Sequence, residues 1–387
     1  MGSTEDVQPV GQFTHPVIDH DTKNNDPWQR PYFIPPRMGK LVPRSSPLID
    51  IRPSISDPKY IPSHLLKTHG FGVVKHSSVL FEPPYVTQDL TAQTIAEVYY
   101  PEVRDLVKQT TGAKHVFMIG SVVRRGSRAP EEFKLPTGLR TAAVVSNGGR
   151  GEDKEIKSTE DSQYDKLGSR LQISLAKPIR IPHLDYTPLG ARQAIRFQDQ
   201  DIYNTALETG VIAAEDKICE HYSFSASSRE ADTLIAEQYN QNGKLGPRYT
   251  AYSIWRPLTK VERDPIALAP RMNSAIGCDD SDFVYWNYEN RIPGPQELGG
   301  DFLKEGAMLG VRGESPVDST TGNNSLKWYY VSAQQPDEVL FIKFFDSVAL
   351  GRNAEEAGAP WHASPEIGSA EGDHPRESIE LRILAFW

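Results

Sequence analysis

The sequence predicts a mainly β fold with flanking helices (α+β), organised as a double-stranded β-helix, or jelly-roll, core. Two observations carry that expectation. Five aromatic and β-branched runs, at 249–255, 283–286, 326–331, 339–345 and 379–384, follow one another down the C-terminal half, separated by turn-rich loops. A half of that kind reads as an antiparallel double sheet. Helix signals gather in a few segments outside these runs, and no internal repeat is present.

In chain order, residues 1–60 are rich in Pro, Asp and Arg with little periodicity and are expected to form an extended N-terminal arm. Residues 61–387 are expected to form the jelly-roll domain with helical and loop insertions. His69-Gly70-Phe71-Gly72-Val73-Val74 reads as a turn feeding a short strand, residues 88–111 as helix with a break near Pro101, and residues 115–123 as a buried strand. Residues 147–169, with Gly148-Gly149 and mixed charges, read as a mobile insertion placed where a lid would be useful. Thr187-Pro188 supplies an N-cap and a proline for the first helical position, so a helix starts there; another is expected over residues 229–241.

The bulk properties narrow the function. A chain of 387 residues, 38% hydrophobic and 24% charged, is expected to be a soluble globular protein with a sizeable core. A net charge of −9 and the lack of any Lys/Arg run argue against nucleic-acid binding, which needs a basic face. Cys219 and Cys278 form neither a CxxC pair nor a framework, which suits free thiols in a reducing, cytoplasmic compartment. The acidic start Met1-Gly2-Ser3-Thr4-Glu5-Asp6 and the absence of a long apolar window disfavour secretion and membrane spanning. The expected partner is a small molecule; homo-oligomerisation stays open.

The candidate chemistry lies in His183-Leu184-Asp185, His362 and Arg376-Glu377-Ser378. On a strand, His183 and Asp185 share one face, as do Arg376 and Ser378. Two imidazoles and a carboxylate fill three adjacent positions of an octahedron and leave three open, which suits iron(II), a bidentate 2-oxo acid and oxygen. Taken alone the motif says little: ten histidines and fifty-one acids give about one His-x-Asp/Glu by chance, and one is found. Arg-x-Ser also recurs at Arg44, Arg52 and Arg125. Weight comes from the order, with His-x-Asp before the strand-rich half, a histidine before the last strand, and Arg-x-Ser entering it. His362 is preferred to His374, which is two residues from Arg376 in a turn-like stretch and would bind a metal almost on top of the anchor. The alternatives are a surface His-Leu-Asp beside a helix cap, a zinc hydrolase on the same three ligands, and a non-catalytic jelly-roll binding protein.

Several longer blocks carry a resemblance. Leu326-Lys327-Trp328-Tyr329-Tyr330-Val331, Pro336-Asp337-Glu338-Val339, Ile342-Lys343-Phe344-Phe345-Asp346-Ser347 and Pro375-Arg376-Glu377-Ser378-Ile379-Glu380-Leu381-Arg382, with His362, closely resemble the fungal AsaB-like hydroxylase/desaturase family. Tyr99-Tyr100-Pro101-Glu102, His183-Leu184-Asp185 and Trp255-Arg256-Pro257-Leu258 extend the likeness over most of residues 65–387. That family includes gibberellin-desaturase-like, cephem-methoxylation-associated and aziridine-forming members. The resemblance implies an iron(II)- and 2-oxoglutarate-dependent oxygenase of secondary metabolism that uses O2 and releases succinate and CO2. One departure is Ala269-Pro270, where many relatives carry Cys-Asp, and this leaves the substrate class open.

On this reading His183, Asp185 and His362 hold iron, Arg376 takes the far carboxylate of 2-oxoglutarate, and Ser378 adds a hydroxyl. Tyr330 is a candidate to hydrogen-bond the co-substrate or to pack in the sheet. Arg256 is a candidate substrate clamp or a structural ion pair. Leu340, Ile342 and Phe344 share a strand face and line either a pocket or the core.

Overall fold

A computed structural model of the chain describes residues 8–17, 40–85, 90–124, 171–174, 178–239, 246–271, 283–311, 326–350, 354–368 and 374–387. The 147–169 insertion lies outside them. In chain order the strands are β1 (Val10–Pro16), β2 (Leu41–Asp50), β3 (Phe71–Lys75), β4 (His115–Arg124), β5 (Leu171–Ser174), β6 (His183–Leu184), β7 (Tyr249–Pro257) and β8 (Ala267–Ala269). They continue with β9 (Phe283–Ile292), β10 (Phe302–Val311), β11 (Trp328–Tyr330), β12 (Glu338–Asp346), β13 (Trp361–Ala363), β14 (Glu366–Ile367) and β15 (Ser378–Phe386). Two mostly antiparallel sheets result. One has six strands in the order β3-β12-β7-β15-β4-β5, and the other has nine in the order β14-β1-β2-β11-β8-β13-β6-β10-β9.

The proline-rich N-terminal segment contributes two of these strands. β2 accommodates Pro43 and Pro47 because these residues pair only with β1, while its contact with β11 is confined to Leu48–Asp50. A proline lacks an amide donor and fits a strand only where one side needs none.

Strand periodicity splits the six-stranded sheet into two chemically different faces. Ile379, Leu381, Ile383 and Ala385 of β15 join Ile254, Phe341 and Val339 in one apolar cluster with Tyr99, Val103, Leu106 and Val107. Those last residues belong to a π turn, Ile95–Tyr99, and the helix Tyr100–Thr111 that continues it, with Pro101 in the first turn, where its missing amide costs nothing. Glu380, Arg382 and Leu384 alternate onto the opposite face, which also carries Trp255 of β7 and Leu340 and Ile342 of β12. That face is where the site is built.

Helices Pro188–Phe197, Gln200–Glu208, Val211–Cys219 and Ala231–Gln238 close one end. The Thr187 hydroxyl accepts from the Gly190 amide at 3.1 Å, as an N-cap should. Gly190 is required there: a Cβ would lie 2.0 Å from the Glu305 carbonyl oxygen, so only glycine lets this helix meet β10. The buried Glu215 carboxylate accepts from Arg196 at 2.5 Å and from the Tyr249 hydroxyl at 2.7 Å, tying the helices to β7. No helix among the described residues is long and apolar enough to cross a membrane.

Candidate metal centre

Register places the candidate ligands side by side. β13 pairs with β6 so that His362 lies opposite His183, and the same row runs on through Leu268 of β8 to Tyr329 of β11. Directly paired residues share a face. The ring centroids of His183 and His362 are 4.3 Å apart, and one donor atom from each of His183, Asp185 and His362 falls within 4.8 Å of the others.

Each imidazole is fixed by its backbone. His183 Nδ1 is 2.8 Å from the Ile181 carbonyl oxygen and His362 Nδ1 is 3.4 Å from that of Pro360, so Nδ1–H donates and Nε2 keeps its lone pair for a metal. Burial, reinforced by His362, pushes His183 down to about 4 and keeps it neutral. Although burial works to raise it, Arg382, His362 and His183 hold the Asp185 carboxyl well below the usual carboxylate range. Arg382 Nη2 forms an ion pair with Asp185 Oδ1 at 3.2 Å, while Oδ2 lies 3.5 Å from His362 Nε2. One carboxylate oxygen is thus occupied and the other faces the histidines. Two neutral imidazoles and an anionic oxygen, each steered by a second group, fit a divalent iron.

Arg376 stands at the other end of the same face. Its Nη1 donates to the Asp264 carbonyl oxygen and to Ser364 Oγ, both at 2.6 Å, and the guanidinium lies 5.2 Å from the Trp255 ring centroid. Nε is buried without a partner. The nearby Asp264 carboxylate is already taken by Arg180 at 2.6 Å and Arg263 at 3.0 Å. Burial and the neighbouring Arg124 push Arg376 down to about 9. A buried cation with an orphaned donor and no acid of its own fits the far carboxylate of a 2-oxo acid. Ser378 is buried two residues along the chain and heads β15.

The other expected residues divide. Phe344 reaches the centre, its ring stacked on His362 at 5.2 Å and 5.9 Å from Tyr186. Ile342 is core on the same face. Tyr330 is not brought to the site: it packs with Leu184, Trp328 and Trp361 on the far face of the nine-stranded sheet, because Tyr329 occupies the position in line with His362. Arg256 is not brought there either. It follows Trp255 on β7, points to the opposite face, and donates to Tyr99 Oη at 3.0 Å and to the His76 and Pro336 carbonyls at 2.8 Å each. His374 is exposed.

Two residues at the centre have no counterpart in the sequence reading. Arg382 shares the Arg376 face of β15 by simple alternation and was legible on that ground. Lys304 lies on β10, whose glycines and adjacent charges hide it as a strand; it is buried, with Nζ 3.9 Å from the Tyr186 ring centroid.

Two imidazoles and a carboxylate that can hold a metal in a two-sheet β fold, with a guanidinium that has no acid partner among the described residues at the other end of the same face, fit a non-haem metal-dependent oxidoreductase. The family model described as an oxidoreductase/YMDC permease-like domain matches residues 42–211 and 220–386. The chain is 30% identical to the gibberellin cluster GA4 desaturase of Gibberella fujikuroi, over 87% of this chain and 85% of that protein. It is 33% identical to hydroxylase/desaturase asaB of Aspergillus flavus, over 43% of this chain and 66% of that protein. It is 24% identical to the Fe(II)/2-oxoglutarate-dependent dioxygenase nvfI of Aspergillus novofumigatus, over 83% of this chain and 77% of that protein. The chain belongs to the fungal AsaB-like hydroxylase/desaturase family.

Proposed function

We propose that His183 Nε2, Asp185 Oδ2 and His362 Nε2 hold iron(II), that Arg376 anchors the far carboxylate of 2-oxoglutarate with Ser378 beside it, and that the enzyme oxidises one C–H bond of a small-molecule metabolite. The chain is a non-haem iron(II)/2-oxoglutarate-dependent dioxygenase of fungal secondary metabolism. Hydroxylation, desaturation and oxidative ring closure, aziridine formation included, are the outcomes open to this chemistry. The observation that carries the residue assignment is the convergence of three donor atoms within 4.8 Å on the face that also holds the acid-free Arg376.

When bound, iron with 2-oxoglutarate and O2 supplies the oxidation, giving succinate and CO2. The protein's own residues do the positioning. The Ile181 and Pro360 carbonyls orient the two imidazoles. Arg382 occupies Asp185 Oδ1, so the carboxylate offers a single oxygen and leaves room for a chelating co-substrate. Phe344 covers His362 with its ring and keeps water from that side.

Anaerobic addition of iron(II) and 2-oxoglutarate should produce a weak visible charge-transfer band in the wild type. His362→Ala should lose it. Absence of the band from metal-loaded wild type would overturn the assignment.

A further inference from the structure

Lys304 is a buried cation with no anion in direct contact among the described residues: Asp185 and Glu380 act on it, as does the cation Arg382, but none of the three pairs with it directly. It is 5% exposed, and its Nζ lies 3.9 Å from the Tyr186 ring centroid. A buried ammonium is costly unless paired, and a cation–π contact covers only part of that cost. The position has structure around it. Met308 of β10 lies opposite His183, so Gly306 and Lys304, two and four residues back, fall on the same face. Tyr288 lies over Gly306, where a Cβ would come within 2.6 Å of its hydroxyl oxygen. Asn290, paired with Lys304 across β9, has a buried Oδ1 that also lacks a partner.

We infer that Lys304 is the anchor for a carboxylate on the oxidised substrate, a monoanionic acid with an apolar or aromatic skeleton. The inference rests on the proposed metal and co-substrate geometry and adds the class of substrate to it.

Three arguments support it. First, Lys304 is at the wrong end to serve 2-oxoglutarate. Arg376 lies ahead of β15 and contacts Ser364, whereas Arg382, six residues further along the chain, contacts Asp185, the neighbour of Tyr186. Lys304, over the Tyr186 ring, therefore lies on the Arg382 side of the candidate ligands and away from Arg376. Second, the two carboxylates that act on Lys304, Asp185 and Glu380, are both engaged by Arg382, so among the described residues the ammonium has no acid to itself. Third, the ammonium lies over the Tyr186 ring and Phe344 lies 5.9 Å from that ring, so an apolar or aromatic skeleton with one charged group matches this corner.

The test uses wild type and Lys304→Met, each loaded anaerobically with iron(II) and 2-oxoglutarate, and two probes that differ in charge alone: naphthalene-1-acetate and naphthalene-1-acetamide. Binding is read from iron-induced broadening of the probe's aromatic proton resonances. The wild type should prefer the acid, and Lys304→Met should weaken acid binding by about thirtyfold, as expected for removing one side of a buried charge pair, while amide binding is unchanged. Lys304→Arg should keep most of the preference. Lys304→Gln supplies the same comparison should the methionine variant not fold. No binding of the acid to wild type, equal binding of acid and amide, or an acid preference that survives loss of the ammonium would each overturn the inference. The charge-transfer band separates the two claims: its absence in wild type strikes the metal and co-substrate assignment, whereas an intact band with a failed acid preference strikes Lys304 alone.

Discussion

Arg256 on β7 and Arg376, two residues ahead of the neighbouring β15, are both buried and both lie against aromatic rings, yet they use their donors in opposite ways. Arg256 commits Nε, Nη1 and Nη2 to a tyrosine hydroxyl, two carbonyls and the His76 ring. Among the described residues, Arg376 commits Nη1 to two oxygens and leaves Nε buried and unanswered. Sequence context assigns Arg376 to the co-substrate and leaves Arg256 between a substrate clamp and a structural ion pair. Saturation separates them: the donors of Arg256 are spent on protein, as suits a residue that holds the fold, whereas Arg376 keeps a donor that the proposed co-substrate site can use.

Exchange of the two residues should therefore have opposite effects, and these are the largest expected. Arg376→Ala should weaken 2-oxoglutarate binding by about thirtyfold or more, because the co-substrate carboxylate loses its buried partner, with a small change in Tm. Arg256→Met should leave co-substrate affinity intact and cost about 3 kcal/mol or more of stability, since several buried acceptors lose a charged donor. Titration of the charge-transfer band and thermal denaturation read the two effects. A co-substrate defect in Arg256→Met would break the contrast.

The carboxylates repeat the distinction. Glu338 is fully used: Arg52 and Lys75 donate to Oε1, and Arg52 and the Gln335 amide donate to Oε2. Against the effect of burial, Arg52, Gln335 and Lys75 lower Glu338 from 4.5 to about 2. The folded pKa is the depressed one, so the stabilisation is present above pH 4.5 and is lost as pH falls toward 2. Its upper limit is about 3 kcal/mol. Glu338→Gln should melt lower than wild type at neutral pH, with the two curves converging through that window. A gap that persists at pH 2 would show that the residue stabilises by packing instead.

Asp185 is half used, and Arg382 is the residue that uses it. Arg382→Met should weaken iron affinity by about tenfold, the lower range for groups that orient metal ligands, and leave the Arg376 end of the site unaffected. Metal titration followed by the charge-transfer band reads both. Unchanged iron affinity would mean that Asp185 is held by the strand backbone alone.

The centre was legible where chemistry and periodicity agreed. His183 and Asp185 alternate on a short strand, Thr187-Pro188 writes its own helix start, and β12 and β15 are rich in apolar and aromatic residues. The pairing of His183 with His362 was not legible in physical terms, since it depends on a strand register across 179 residues of chain, set by packing of whole sheets. β10 was missed for a local reason. Lys304-Glu305-Gly306 and Gly310 break its apolar pattern, because Lys304 turns toward the site and Gly306 makes room for Tyr288. The residues that disguise the strand are those that serve the site. β1 and β2 were read as an arm because prolines obscure a strand that pairs on one side at a time.

The smallest expected effect concerns the adjacent pair Tyr329 and Tyr330. Sequence reading weighed Tyr330 as a co-substrate ligand, but a strand turns successive side chains to opposite faces, and register puts Tyr329 in the row with Leu268 and His362. Tyr330 packs behind that row against Trp328 and Trp361. Tyr330→Phe should then leave 2-oxoglutarate affinity within about twofold and stability within about 0.5 kcal/mol, the range for a change that touches no hydrogen-bond network. A tenfold loss of co-substrate affinity in this variant would place the phenol on the metal side of the sheet. It would also shift the parity of the whole row, and with it the argument that His183 and His362 share a face.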